Sequence, residues 1–204
     1  MLIAVANTKG GQGKTTLACS LADFLKAELF DANPENGDAD AWAGLTGRQC
    51  RLIYPDDLAL LEAAAKGKGW AVVDCPPWDG QETRAALALS KVVIVPVAAG
   101  YQDLRGLARM SGLIREAREQ ANPKLRAAII GMGRRTTSFA ETWADALQGY
   151  HRPKDGLHYL GSLPQRQAVV DAFGAGLPAH QAAQPAGREV TEILTRLVSW
   201  IETK

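Results

Sequence analysis

Apolar positions along this chain alternate between two rhythms. Short, mostly apolar runs occupy residues 2–6 (LIAVA), 28–32 (ELFDA), 70–77 (WAVVDCPP), 92–97 (VVIVPV), 126–132 (RAAIIGM) and 158–164 (HYLGSLP). Runs of this kind, several of them closed by Gly, Pro or Asn, predict buried β-strands. Between them apolar residues recur at helical spacing in residues 15–29, 57–65, 82–89, 104–120, 139–147 and 189–201, the first placing Leu17, Leu21 and Leu25 on one stripe. Strands alternating with helices predict an α/β fold, a mostly parallel sheet covered by helices on both faces. Such sheets bind ligands at the carboxyl ends of their strands. Segments 9–16, 31–35 and 74–77 each follow a strand directly, so they are expected to converge on one edge.

Composition narrows the class. A chain of 204 residues fits a single domain, 1–204, with a full core. With 47% hydrophobic residues and a formal net charge of +1, the totals argue against disorder and reveal no polyelectrolyte partner. The distribution says more: residues 105–135 hold eight basic and two acidic side chains, whereas residues 1–104 hold nine and thirteen. The three cysteines, Cys19, Cys50 and Cys75, have neither disulfide-framework nor zinc-ligand spacing and suit a reducing compartment. No apolar run approaches the roughly 20 residues that cross a bilayer, and no basic leader precedes the first apolar residues. A soluble cytoplasmic protein is expected.

The stretch VANTKGGQGKTTLACSLA carries the chemistry. Glycines let consecutive backbone N–H groups turn inward around phosphate oxygens, and the helix that follows presents its positive end. In Gly13-Lys14-Thr15, Lys14 reaches the β and γ phosphates and the Thr15 hydroxyl can ligate Mg²⁺. The usual phosphate loop has Gly five positions before Gly13, where this chain has Thr8. It also carries a second lysine, Lys9, ahead of the glycines. Asp74, at the end of an apolar strand, suits Mg²⁺ held through water, since that ion keeps several waters and takes few carboxylates.

Lys9-Gly10-Gly11-Gln12-Gly13-Lys14-Thr15-Thr16 resembles the deviant phosphate loop, KGGxGKT, of the ParA/MinD family of ATPases. The resemblance implies a P-loop NTPase that binds ATP and Mg²⁺ through residues 10–16. It also implies a homodimer in the ATP state, in which Lys9 reaches across to the nucleotide of the facing subunit. FDANPENGDA sits where the family has D-x-D-P, which makes Asp31 a support for the metal's water shell and puts Asn33 in place of the catalytic Asp. An amide can orient water but cannot accept its proton, so weak hydrolysis with ATP binding retained is expected. Asn33 is either natural, with Glu35 or Asp38 assisting, or a substitution of Asp that traps the ATP dimer. WAVVDCPP looks like the family's Walker B strand, and VVIVPVAAGYQDLRGLARM matches its strand, loop and helix run. LPQRQAVVDAFGAGLPA is similar to the C-terminal segment of small ParA proteins and brings Pro164 to the nucleotide.

The resemblance further implies nonspecific DNA as a partner, a ParB-like or other cargo adaptor, and a nucleoid-associated location. Arg105, Arg109, Arg115, Arg118, Lys124, Arg126, Arg134 and Arg135 are the candidate phosphate contacts. The C-terminal stripe of Val190, Ile193, Leu194, Leu197, Val198 and Ile201 is flanked by balanced charge, so core packing is expected and no membrane docking. Trp143 with Phe139 and Ala140 is expected to pack, and His151, His158 and His180 receive no ligand role. The competing functions are a MinD-like membrane-associated regulator and a metabolic enzyme resembling dethiobiotin synthase. An iron–sulfur carrier is disfavoured by the cysteine positions.

Overall fold

The computed structural model describes residues 1–134, 143, 145–150, 152 and 156–203. Arg135, Phe139, Ala140, His151 and most of the helix expected at 139–147 lie outside the described residues. In chain order the elements are β1 (Leu2–Val5), α1 (Lys14–Leu25), β2 (Glu28–Asp31), α2 (Asp38–Thr46), β3 (Cys50–Leu52), α3 (Ala59–Lys66), β4 (Ala71–Asp74) and α4 (Gln81–Leu89). β5 (Val92–Ala98), α5 (Tyr101–Gln120), β6 (Arg126–Arg134), β7 (Leu157–Pro164), α6 (Gln167–Gly174), a 3-10 turn (Ala179–Gln181) and α7 (Ala186–Glu202) complete the set.

The seven strands form one sheet, ordered β3-β2-β4-β1-β5-β6-β7, with every pairing parallel. Alternate residues of each strand feed two cores. Leu2, Ala4, Phe30, Val73 and Val93 pack against Leu61 of α3, Leu87 of α4 and Leu107 and Met110 of α5. Ile3, Val5, Leu29, Val72 and Ile94 pack against Leu17 and Leu21 of α1, Trp42 of α2 and Leu194 and Leu197 of α7. Strands buried on both faces are why the sequence shows near-continuous apolar runs rather than alternation.

Register places the chemistry. Val5 of β1 pairs with Asp74 of β4, and Asp74 pairs with Asp31 of β2. The two carboxylates and the loop that leaves β1 therefore stand at one level of the carboxyl edge.

Two helices and one strand depart from the expected elements. α2 starts after Gly37 in the left-handed region (φ 60°) and carries Asp38 and Asp40 in its first turn, where they favour the helix dipole. β3 is a three-residue edge strand on β2. α6 is an eight-residue helix within the C-terminal segment, whose pattern predicts no element. As expected, α7 buries its stripe of Val190, Ile193, Leu194, Leu197 and Ile201. Among the described residues no helix is long and apolar enough to cross a membrane.

Candidate nucleotide site

The loop between β1 and α1 is shaped before any ligand chemistry is invoked. Asn7 anchors it: Nδ2 donates to the Pro96 carbonyl at 2.8 Å, and Oδ1 accepts the Lys9 N–H at 3.2 Å. Gly13 stands at the start of α1 with φ 79°, and a Cβ there would come within 2.8 Å of Met132 Cε. The positive φ is what calls for glycine, since the Met132 methyl can swing aside. Gly13 at the N-cap brings no side chain of its own to α1, so the helix's first N–H groups are available to an anion.

A cleft of about 460 Å³ opens over this helix end, lined by residues 10–16 with Asn33, Asn36, Asp38, Asp74, Cys75, Pro77 and Phe173. Gly10, Gly11, Gln12, Gly13, Lys14, Thr15, Thr16, Asn33 and Asp74, all singled out from sequence, meet here. Lys14 is buried, and its Nζ donates to the Lys9 carbonyl at 3.1 Å. Burial lowers the pKa of its ammonium, while Asp74 opposes that shift. Burial pushes the Asp74 carboxyl up to about 7, against the hydrogen bond from the Thr15 hydroxyl and with Asp31 adding to the rise.

One oxygen of Asp74, Oδ1, is buried and has no hydrogen-bond partner among the described residues. An orphaned carboxylate oxygen beside the Thr15 hydroxyl fits Mg²⁺, which takes one or two protein oxygens and fills its shell with waters and phosphates. Asn33 Oδ1 is likewise buried without a partner among the described residues. A buried acceptor lining a polar cleft can orient a water.

Asp31 is fully buried, and both its oxygens are engaged. Oδ1 accepts the Asn33 N–H at 2.9 Å, and Oδ2 accepts those of Ala39 and Asp40 at 2.9 and 3.2 Å. The structure therefore makes Asp31 a positioning residue that folds residues 33–40 over the cleft and caps α2.

Gln12 and Lys9 also turn out to be engaged within the chain. Gln12 is 2% exposed and spends its side chain on Asp103, Gly10 and Ala98. It offers a phosphate its backbone alone. Lys9 Nζ meets Asp103 Oδ1 at 2.5 Å. Sequence reasoning misses Asp103, because an acid in the first turn of a helix reads there as a dipole-stabilising residue.

Pro164, at the end of β7, lines a second cavity of about 390 Å³ that adjoins the loop through Gly11, Gly13 and Thr16 and is also lined by Met132 and Val169. Its lining is largely apolar and its position, alongside the phosphate loop, suits a planar ring.

The basic stretch divides in two. Arg118 donates to the Leu125 and Gly156 carbonyls at 2.8 and 3.0 Å. Arg126 donates to the carbonyls of Trp200, Ile201 and Thr203 and lies 4.1 Å from the Trp200 ring centroid. Both hold the fold. Arg105, Arg109, Arg115 and Lys124 are exposed.

Comparison with known proteins agrees with this geometry. Residues 3–179 match the CobQ/CobB/MinD/ParA nucleotide binding domain. The chain is 28% identical to the chromosome-partitioning ATPase Soj of Thermus thermophilus, over 96% of each chain. It is 31% identical to the maintenance of carboxysome distribution protein A of Halothiobacillus neapolitanus, over 63% of this chain and 64% of that one. Among solved structures, a plasmid partition protein from Borrelia burgdorferi bound to AMPPNP superposes with a TM-score of 0.77 at 18% identity, covering 98% and 99% of the two chains. The phosphate loop, the parallel sheet and the match over most of its length place the chain in the CobQ/CobB/MinD/ParA nucleotide-binding family, among its ParA/MinD ATPases.

Proposed function

We propose that the chain is a ParA-type positioning ATPase, one nucleotide-binding domain spanning residues 1–204 that pairs with a second copy when ATP and Mg²⁺ are bound. The observation that carries this reading is the unequal placement of two lysines on one loop. Lys14 is 8% exposed and faces its own cleft, where it serves the phosphates bound there. The Lys9 side chain is 39% exposed on the rim, within reach of a ligand outside the chain. A cation that completes a neighbour's site makes nucleotide state and oligomeric state one equilibrium.

Within each site, backbone N–H groups of residues 10–16 and Lys14 hold the phosphates. Thr15 and Asp74 are the residues that would hold Mg²⁺, which neutralises phosphate charge when bound. Asn33 Oδ1 accepts a hydrogen bond from the attacking water and aims it at the γ phosphorus. Its amide cannot take the water's proton, so hydrolysis is slow while binding persists. Attack breaks the bond from the γ phosphorus to the β–γ bridging oxygen, leaving ADP and phosphate.

The paired form binds DNA without regard to sequence through Arg105, Arg109, Arg115 and Lys124, in the cytoplasm and on the nucleoid. A ParB-like or other cargo adaptor stimulates hydrolysis and release. The names of the relatives support a positioning role, and they cover different cargoes, a chromosome for Soj and carboxysomes for the Halothiobacillus protein. Light scattering with ATP·Mg²⁺ and with ADP·Mg²⁺, repeated with DNA, tests the reading. The expected result is a doubled mass with ATP alone and DNA binding confined to that form; DNA binding that ignores the nucleotide would contradict it.

A further inference from the structure

Lys9 is not a free loop cation. Its partner Asp103 is 94 residues away in sequence, in the first turn of α5, and the Nζ to Oδ1 distance is 2.5 Å. Gln12 Nε2 donates to the same oxygen at 2.9 Å, while Gln12 Oε1 accepts the Ala98 N–H at 2.8 Å. A buried amide held at both ends fixes the carboxylate. The lysine stem runs along α5 at Gly106, where an added Cβ would meet Lys9 Cβ at 3.5 Å. Asp103 curls back over Gly100, its Oδ2 occupying the place that a Cβ on Gly100 would need.

The two halves of this ion pair differ in freedom. The Asp103 side chain is 11% exposed and fixed, whereas that of Lys9 is 39% exposed. Gln12 stays bonded to Asp103 when Lys9 leaves, so opening the pair strands no buried acceptor. A fixed acceptor with a releasable donor holds the cation until a more highly charged anion competes for it.

We infer that Gln12 and Asp103 form a latch that keeps Lys9 on its own chain, so that pairing of two copies around triphosphate requires Asp103 to give Lys9 up. The inference rests on the reading that Lys9 serves the facing copy's nucleotide. The latch raises the protein concentration needed for pairing, and the two partly exposed ion pairs opened in each dimer together raise that threshold by about fivefold.

Sedimentation velocity of the full chain with ATP·Mg²⁺, over a range of protein concentrations, tests it. Asp103→Asn keeps an acceptor for Gln12 and removes the charge; its pairing midpoint is expected about fivefold below that of the unaltered chain. Gly100→Ala displaces the carboxylate without changing net charge and is expected to lower the midpoint in the same direction. Asp103→Glu, which restores the charge, is expected to move the midpoint back up. A midpoint unmoved by Asp103→Asn and by Gly100→Ala, in a chain that pairs and whose pairing Lys9→Ala abolishes, overturns the latch alone. A drop confined to Asp103→Asn also overturns it, because removal of charge then suffices. An unaltered chain that stays monomeric at saturating ATP·Mg²⁺ overturns the underlying reading together with the latch.

Discussion

The two ends of the parallel sheet both gather charged side chains, and they treat them in opposite ways. At the amino end Arg118 and Arg126 are engaged by backbone carbonyls, with Arg126 gripping the last turn of α7 and lying over the Trp200 ring. At the carboxyl end Asp74 and Asn33 are buried with one oxygen each unpartnered among the described residues, and Lys14 is buried on a single carbonyl. Burying a polar group without a partner costs roughly 1–3 kcal/mol. A fold that leaves a buried carboxylate and a buried ammonium short of partners at one end, and engages two guanidinium groups with backbone carbonyls at the other, separates a ligand site from a structural clamp.

Substitutions can break that comparison. The largest effect is expected from Lys14→Gln, which should weaken ATP binding at least about a hundredfold in calorimetry. A loss of only a few-fold would mean that the buried lysine is structural, like the arginines at the other end. Asn33→Asp restores a proton acceptor beside the cleft and is expected to raise turnover about a hundredfold in a phosphate-release assay, with ATP affinity little changed. Unchanged turnover removes Asn33 from the chemistry.

Proton linkage sharpens the contrast. In the absence of Mg²⁺ the folded chain holds a proton on Asp74 that the unfolded chain releases, since burial lifts that carboxyl from 3.8 to about 7. The stability this group contributes is present in full below the ordinary carboxyl value and is lost as pH rises toward about 7. The slope reaches up to about 1.4 kcal/mol per pH unit for one proton. Urea unfolding across that range should show a shallower fall for Asp74→Asn; identical slopes would place the proton elsewhere.

Smaller effects are expected at the amino end. Arg126→Ala removes three carbonyl contacts and a ring contact and should cost about 2 kcal/mol in urea unfolding, leaving ATP affinity intact. Arg105→Ala, at an exposed position, should leave stability within about 0.5 kcal/mol and flatten the salt dependence of DNA binding by about one phosphate contact. If Arg126→Ala abolished DNA binding without destabilising the fold, the division of the basic stretch would fail.

Legibility from sequence follows the range of the interactions. The loop from Lys9 to Thr16 is legible because its chemistry is local: glycine φ angles, a helix start and one lysine make the site within eight residues. The strands are legible because burial on both faces leaves near-continuous apolar runs. β3 escapes because three residues on a sheet edge carry no period. α2 escapes because its start depends on Gly37 in the left-handed region and on Asp31 capping it from another element. The roles of Asp103 and Arg126 rest on partners 94 and at least 74 residues away, and nothing near either residue in sequence announces them.

The most direct test of the central claim mixes two crippled chains. Lys9→Ala retains its own nucleotide pocket but lends no cation, and Lys14→Gln lends Lys9 but holds no nucleotide. Sedimentation of each alone with ATP·Mg²⁺ should give monomers, whereas their equimolar mixture should form a heterodimer around the one nucleotide that Lys9 can reach in trans. A Lys9→Ala chain that pairs by itself as readily as the unaltered protein contradicts the account.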